Sequence, residues 1–429
     1  MRRSPVWLFG MLALVAFGCG GGDEPTAPGG VGADRILWTF GSDAGIYYGS
    51  GALSLDEQTA YFGTSNPRFG VFENDHHLYA LDIATGAVRW KFPLGSKEVR
   101  STPAVAPDGS LTFVVQERDA AGAVVLRDVV YRLAADGRLQ WTFNINPNPR
   151  GMDVGLSAPA IAPDGTVYVA GDALYAIDAA GALQWSRLGP AVEDLRNSPV
   201  IAPDGTVYFV FHNVPLTAFD PDDGSVIWSR DLGVNDHVVA SPAIGPDGTI
   251  YVATNPGVLY AVSSGGEIRW TFDVSTIGYQ CTFRSSPAID ADGTIYFGTN
   301  TGNPASSFLA LDPTGIVKWR FDPEDLPPGV PATHFDIYSS PAIGADGSIY
   351  FGQEFGRVYA LDPALGGVRW MVETRSGIIW PSPAITATGT LLIADLDGRV
   401  YAIRTDGGGL KATAWPKFRR DARSSGCAM

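Results

Sequence analysis

The chain is poor in the residues on which most enzyme chemistry draws. Histidine occurs five times and cysteine three times in 429 residues. No zinc-ligand spacing, Gly-rich phosphate loop or nucleophile elbow is present. Positive charge is scarce too: 30 Lys and Arg face 45 Asp and Glu, a net charge of −15. Such a surface repels a phosphate backbone, which excludes nucleic acid as a partner. Methionine is rare at five copies, whereas aromatics make up 11% of the chain, a balance that suits sheets better than helices. Glycine (52) and proline (31) are abundant without a collagen-like period, so the chain turns often.

Long apolar runs are missing except at the start. Arg2 and Arg3 precede an apolar stretch from Val6 to Phe17, shorter than a membrane span and of signal-peptide length. It ends in Ala16-Phe17-Gly18-Cys19. This resembles a bacterial lipoprotein signal, in which Cys19 becomes the lipid-bearing N-terminus and anchors the protein to the outer membrane. Conventional cleavage after Gly18, giving a secreted protein, fits the same small residues. The reading is a signal segment over 1–18 and a flexible tether over 19–33.

From residue 34 onward the chain repeats one pattern. Tryptophan closes each copy at Trp38, Trp90, Trp141, Trp185, Trp228, Trp270, Trp319 and Trp370, at spacings of 42 to 52 residues. That period suits a four-stranded propeller blade. Each copy opens at a proline (Pro103, Pro159, Pro199, Pro242, Pro287, Pro341, Pro383), with a degenerate first copy from Ser50 to Gly63. Asp-Gly pairs at 108, 164, 204, 247, 292 and 346 predict a tight turn between the first and second strands. The runs after them, such as 167–169 and 295–297, are β-branched and aromatic. Asp82, Asp178, Asp220, Asp312 and Asp362 end third strands and organise the next turn. Proline in the first strand requires a free edge, and a strand lining the tunnel has one.

The first tryptophan comes too early. The stretch from Arg35 to Phe40 is a fourth strand with no three before it, and the stretches at 383–385, 391–393 and 400–403 are three strands without a fourth. Joined, they make an eighth blade and close the ring with both ends of the chain. The predicted fold is all-β: one monomeric eight-bladed propeller over 34–429, with a tail at 411–429.

The repeat resembles the pyrroloquinoline-quinone-type propeller repeat, carried by Ala80-Leu81-Asp82 through Gly86 to Trp90 and by Ala218-Phe219-Asp220 through Gly224 to Trp228. The stretch from Trp415 to Asp421 looks like one that accompanies such repeats in bacterial proteins. The resemblance implies that each tryptophan packs between blades. For function it implies three readings. One is a quinoprotein dehydrogenase using the quinone and Ca²⁺; against it, Cys19, Cys281 and Cys427 include no adjacent pair, and no calcium-ligand set matches. The second is a scaffold similar to the propeller lipoprotein of the outer-membrane β-barrel assembly machine. The third is an envelope binding module for an anionic or glycan-like ligand. The preferred reading is non-enzymatic, with no cofactor and with an envelope protein or small anionic ligand as partner.

Three smaller features complete the reading. Asp290-Ala291-Asp292-Gly293 has the look of a calcium loop but lacks its later ligands, and is read as a hairpin turn. His76 and His77 are expected in a solvated loop. Cys281 and Cys427 are expected to pair and pin the tail, although two separate thiols fit the sequence equally.

Counting back three residues from each proline marks where one blade crosses to the next. Arg100, Arg196 and Arg284 stand there at quarter-turns, with Tyr338 and Trp380 in two further blades and Tyr48 in the first. These six are the candidate ligand site: forks for carboxylate or phosphate and aromatic faces for a flat or sugar-like body. The alternative is that Glu193, Asp194 or Asp236 neutralise the arginines as loop salt bridges.

Overall fold

In the third repeat, Ala160–Ile161, Val167–Ala170, Ala173–Ile177 and Leu183–Leu188 pair in sequential order as one antiparallel sheet. The computed structural model contains eight such blades arranged as a ring. It describes residues 32–65, 76–118, 124–145, 157–171, 173–188, 197–211, 215–233, 238–278, 280–303, 306–323, 336–378 and 380–428. The signal segment, nearly all of the tether, Cys19 and Arg196 lie outside the described residues.

The turn chemistry is as the sequence predicts. Gly109, Gly165, Gly205, Gly248, Gly293 and Gly347 all have positive φ. The aspartate before each accepts the amide two residues on, as Asp164 does from Thr166 at 2.9 Å. Asp292 forms the same turn with Thr294, and Asp290 is held by Lys411 of the tail at 2.7 Å. The calcium-like stretch is therefore a hairpin.

Ring closure is also as expected. Ile36–Gly41 pairs antiparallel with Arg399–Arg404, Trp38 opposite Ala402 and Phe40 opposite Val400. The apolar cores lie between blades: one cluster joins Leu53, Phe62 and Tyr79 of the first blade to Leu392 and Val400 of the eighth. Burying these faces against each other is what holds neighbouring sheets together.

The tail enters the tunnel, which the repeat pattern does not foretell. The first strand of each blade has an inner edge that no further strand of its own blade covers, which is where proline is tolerated. The tail covers it. Its carbonyls at Ala422, Arg423, Ser425 and Gly426 accept the amides of Leu53, Val105, Ile161 and Ile201 in the first four blades. On the far side Trp415 and Pro416 accept from Ile289 and Ile343. Trp415, Lys417 and Arg419 are fully buried. Arg419 donates to the carbonyls of Pro159 and Pro199, and Lys417 to Ser424 Oγ at 3.2 Å. Burial pulls the Lys417 ammonium down to about 8.

Two expectations are corrected here. Cys281 and Cys427 are both buried free thiols, in different inter-blade cores, so the disulfide is not made. The tail is pinned instead by main-chain bonds, ending in a bridge between Cys427 and Ile201. Burial pushes both thiols up to about 11, which keeps them protonated at neutral pH. His76 and His77 do not sit in a solvated loop. They begin the strand His76–Asp82 and are 1% and 5% exposed. His76 Nδ1 lies 3.4 Å from Thr64 Oγ1, and its Nε2 lies 4.0 Å from Glu98.

Candidate functional site at the tunnel mouth

A depression opens at one mouth of the tunnel, floored by Phe418 of the tail and holding ≈ 50 Å³. Five of the six candidate residues line it: Tyr48, Arg100, Arg284, Tyr338 and Trp380. Counting back from the prolines therefore finds a true convergence. The sixth, Arg196, is outside the described residues, as are Glu193, Asp194 and Asp236.

The two described arginines differ. Arg100 is 2% exposed, donates to Gln116 Oε1 at 2.8 Å, and lies 3.6 Å from the carboxylate of Glu98. Its guanidinium covers the Tyr48 ring at 4.2 Å. Charge and face are both matched from within the protein. Arg284 lies over Tyr338 at 5.6 Å, and its Nε is buried without a hydrogen-bond partner. Among the described residues no carboxylate pairs with it. Tyr338 is shared: its ring lies under Arg284 while its hydroxyl donates to Asp336 at 2.8 Å. Behind it, burial and then the charge of Asp336 push Glu354 up to about 7.

The aromatic faces are not open platforms. Tyr338 and Trp380 contact each other at 5.0 Å and 51°, and Tyr47 meets Tyr48 edge-on at 4.4 Å. They make a firm wall rather than a slot for a sugar ring.

A girdle of hydroxyls, which sequence reasoning passed over, encircles the tunnel beneath this wall. The residue before each proline donates its amide to its counterpart in the next blade. Ala158 N bonds Ser198 Oγ, Ser198 N bonds Ser241 Oγ, and Ser241 N bonds Ser286 Oγ, at 2.8–2.9 Å. Ser286, Ser340 and Ser382 continue the series at 2.8–2.9 Å, and Ser382 closes it on Ser50. Ser50 N then bonds Thr102 Oγ1 at 3.0 Å. The series breaks once, where Ala158 offers Thr102 no oxygen. Ser or Thr before proline at the same place in six repeats, with Ser50 at that place in the degenerate first copy, was the available signal. It reads as a strand entry until the blades are seen side by side.

The sequence profile of the family described as outer membrane protein assembly factor BamB matches residues 31–214 and 212–420. Among solved structures, BamB from Moraxella catarrhalis superposes with a TM-score of 0.63 at 15% identity, covering 86% of this chain and 99% of that one. A europium-containing methanol dehydrogenase gives 0.67 at 14%, covering 86% and 93%. The computationally designed Ika8 protein gives 0.63 at 14%, covering 86% and 100%. No curated protein matches the sequence. Structural likeness spread across a factor, an enzyme and a design identifies the fold, not the task. The profile runs through almost the whole ring and into the tail, and the chain thus belongs to the family of outer membrane protein assembly factor BamB.

Proposed function

We propose that this protein is a non-enzymatic propeller of the bacterial envelope, anchored through a lipid on Cys19, that docks a partner bearing an acidic group at the tunnel mouth. The observation that carries the reading is Arg284: a cation with a buried, unpartnered Nε, lining a concave mouth where no carboxylate stands among the described residues. In a chain of net charge −15 such a spot selects for negative charge. Family membership supports the envelope setting and a role as a protein-binding scaffold in outer-membrane protein assembly.

The dehydrogenase reading has less support. Chambers that enclose cofactor-sized ligands run to roughly 300–1,000 Å³. The mouth offers ≈ 50 Å³ above Phe418, and the axis below is filled by Trp415, Lys417 and Arg419. The residues present do not fit a fused-ring quinone.

The test is capture from detergent-solubilised envelopes with the purified parent and with Arg284→Gln. The parent is expected to retain a defined partner that the variant loses in proportion to added salt. Equal capture by a folded variant removes the mouth from the proposal. Quinone- and Ca²⁺-dependent dye reduction by the parent overturns the non-enzymatic reading.

A further inference from the structure

The mouth is specific in what it offers, and the inference here rests on the docking role just proposed. Among the described residues, the serine and arginine side chains that line the depression are donors or are already satisfied as acceptors. Ser241, Ser286 and Ser340 line it, each 4% exposed. Each uses its oxygen to accept an amide from the preceding blade. Among the described residues none of the three has an acceptor for its own hydroxyl hydrogen. Arg284 adds its guanidinium, and among the described residues no Asp or Glu lines the site. Thr102, also on the lining, lacks a hydroxyl partner for its amide because Ala158 stands opposite.

Buried donors without acceptors are costly, and a ligand that supplies the acceptors removes that cost. Arg284, the one uncompensated cation among the described residues of the lining, calls for one negative charge. A phosphate brings nearly two and needs a larger set of cations to leave water. The depression is small, ≈ 50 Å³, which favours a slender group such as a carboxylate on one or two methylenes over a ring. A uronic acid carries its carboxylate directly on the sugar ring, so the ring must enter the depression with it. A glutamate side chain places two methylenes between its carboxylate and the backbone, and it reaches.

We propose that the tunnel mouth takes the carboxylate of a single acidic side chain, preferably glutamate, projecting from an extended segment of a protein partner. Arg284 supplies the charge and Ser241, Ser286 and Ser340 the neutral donors. The rigid girdle holds these donors in place before the ligand arrives, so little is lost in ordering the site.

The experiment is calorimetric titration of the full-length mature protein with capped Gly-Gly-Glu-Gly-Gly, its Gln counterpart, glucuronate and inorganic phosphate. The Glu peptide is expected to bind about tenfold or more tightly than the Gln peptide. Arg284→Gln should abolish that preference. Ser286→Ala should weaken the Glu peptide several-fold and leave the Gln peptide unchanged, a second variant that keeps the question open if the first folds poorly. Glu and Gln peptides binding alike, or phosphate or glucuronate binding more tightly than the Glu peptide, overturns the carboxylate assignment. If Arg284→Gln still abolishes envelope capture in that case, the docking role stands and only its ligand chemistry is wrong.

Discussion

Seven of the eight seams between blades are built alike, and the eighth is not. At the seven, the tryptophan of one blade lies flat on the glycine of the next blade's last turn, as Trp185 does on Gly224 and Trp319 on Gly366. The indole Nε1 donates to a carbonyl in the same turn, Trp185 to Pro221 and Trp319 to Pro363, both at 2.8 Å. At the eighth seam Trp370 faces a blade whose third and fourth strands come from opposite ends of the chain, so no turn joins them. There the guanidinium of Arg35 lies 5.0 Å from the Trp370 ring and grips Asp406 with two bonds of 3.0 and 2.9 Å. An ion pair between the two ends stands where a covalent turn stands elsewhere. The repeat thus specifies a surface for tryptophan to rest on, and charge restores that surface where the chain is cut.

The sharpest way to break this symmetry is to add one methyl at each kind of seam. Gly366 has φ 71°, and a Cβ there would stand 2.5 Å from the Trp319 ring. Gly408, in the turn-less blade, has φ 69° with nothing within 4 Å. Both Gly→Ala changes incur the left-handed cost of roughly 1–2 kcal/mol. Only Gly366→Ala adds the overpacking cost of about 1–3 kcal/mol. Gly366→Ala should therefore lower stability by about 2–5 kcal/mol and Gly408→Ala by about 1–2 kcal/mol, compared by urea midpoints. Equal losses would mean that the tryptophan is not resting on the turn.

The inner side of the seams shows a similar contrast, and it can be sharpened by repair. Only the seam between the second and third blades lacks its amide–hydroxyl bond, because residue 158 is alanine. Ala158→Ser should complete the girdle and raise stability by about 1 kcal/mol, the net worth of one such hydrogen bond. The rise should appear in the thermal midpoint without a change in the slope of unfolding against denaturant. A fall would mean that the hydroxyl cannot reach Thr102.

These contrasts also explain what could be read from the sequence. Blade count, turn positions and ring closure follow from short-range signals repeated eight times, so each copy corrects the others. The convergence of Tyr48, Arg100, Arg284, Tyr338 and Trp380 followed from register alone. What escaped was decided once, across long separations. Glu98 neutralises Arg100 from a two-residue strand, Glu98–Val99, that lies ahead of the blade's own first strand and outside the repeat pattern. The tail has no repeat to betray its path, and its Lys417 and Arg419 look like surface residues until main-chain carbonyls are seen to receive them. His76 and His77 break the apolar pattern of a third strand and so read as loop. The girdle was hidden for a different reason: its partners sit about one repeat apart, and no single repeat contains a complete bond.

The smallest effect is expected at the ion pair, where the sign of its pH dependence tells two contributions apart. Asp406 is held below the usual carboxylate range, chiefly by the hydrogen bonds from Arg35 and then by its charge. A depressed carboxylate contributes stability that is present above its unfolded value near 4 and is lost as pH falls through its folded value. The pair is solvent-exposed on the Asp406 side, so its worth is about 0–1 kcal/mol. Asp406→Asn should cost under about 1 kcal/mol at pH 7, less at 1 M salt, and nothing at pH 2. Arg35→Gln removes both the ion pair and the cation over Trp370, the latter worth about 0.5–1 kcal/mol. It should therefore cost more than Asp406→Asn at pH 7 and keep the excess at pH 2, where the carboxylate is protonated but the guanidinium still lies on the indole. Chemical unfolding of the three proteins at both pH values gives the comparison. If Arg35→Gln and Asp406→Asn lose the same amount at pH 7 and neither loses anything at pH 2, the cover over Trp370 is energetically idle and the eighth seam rests on charge alone.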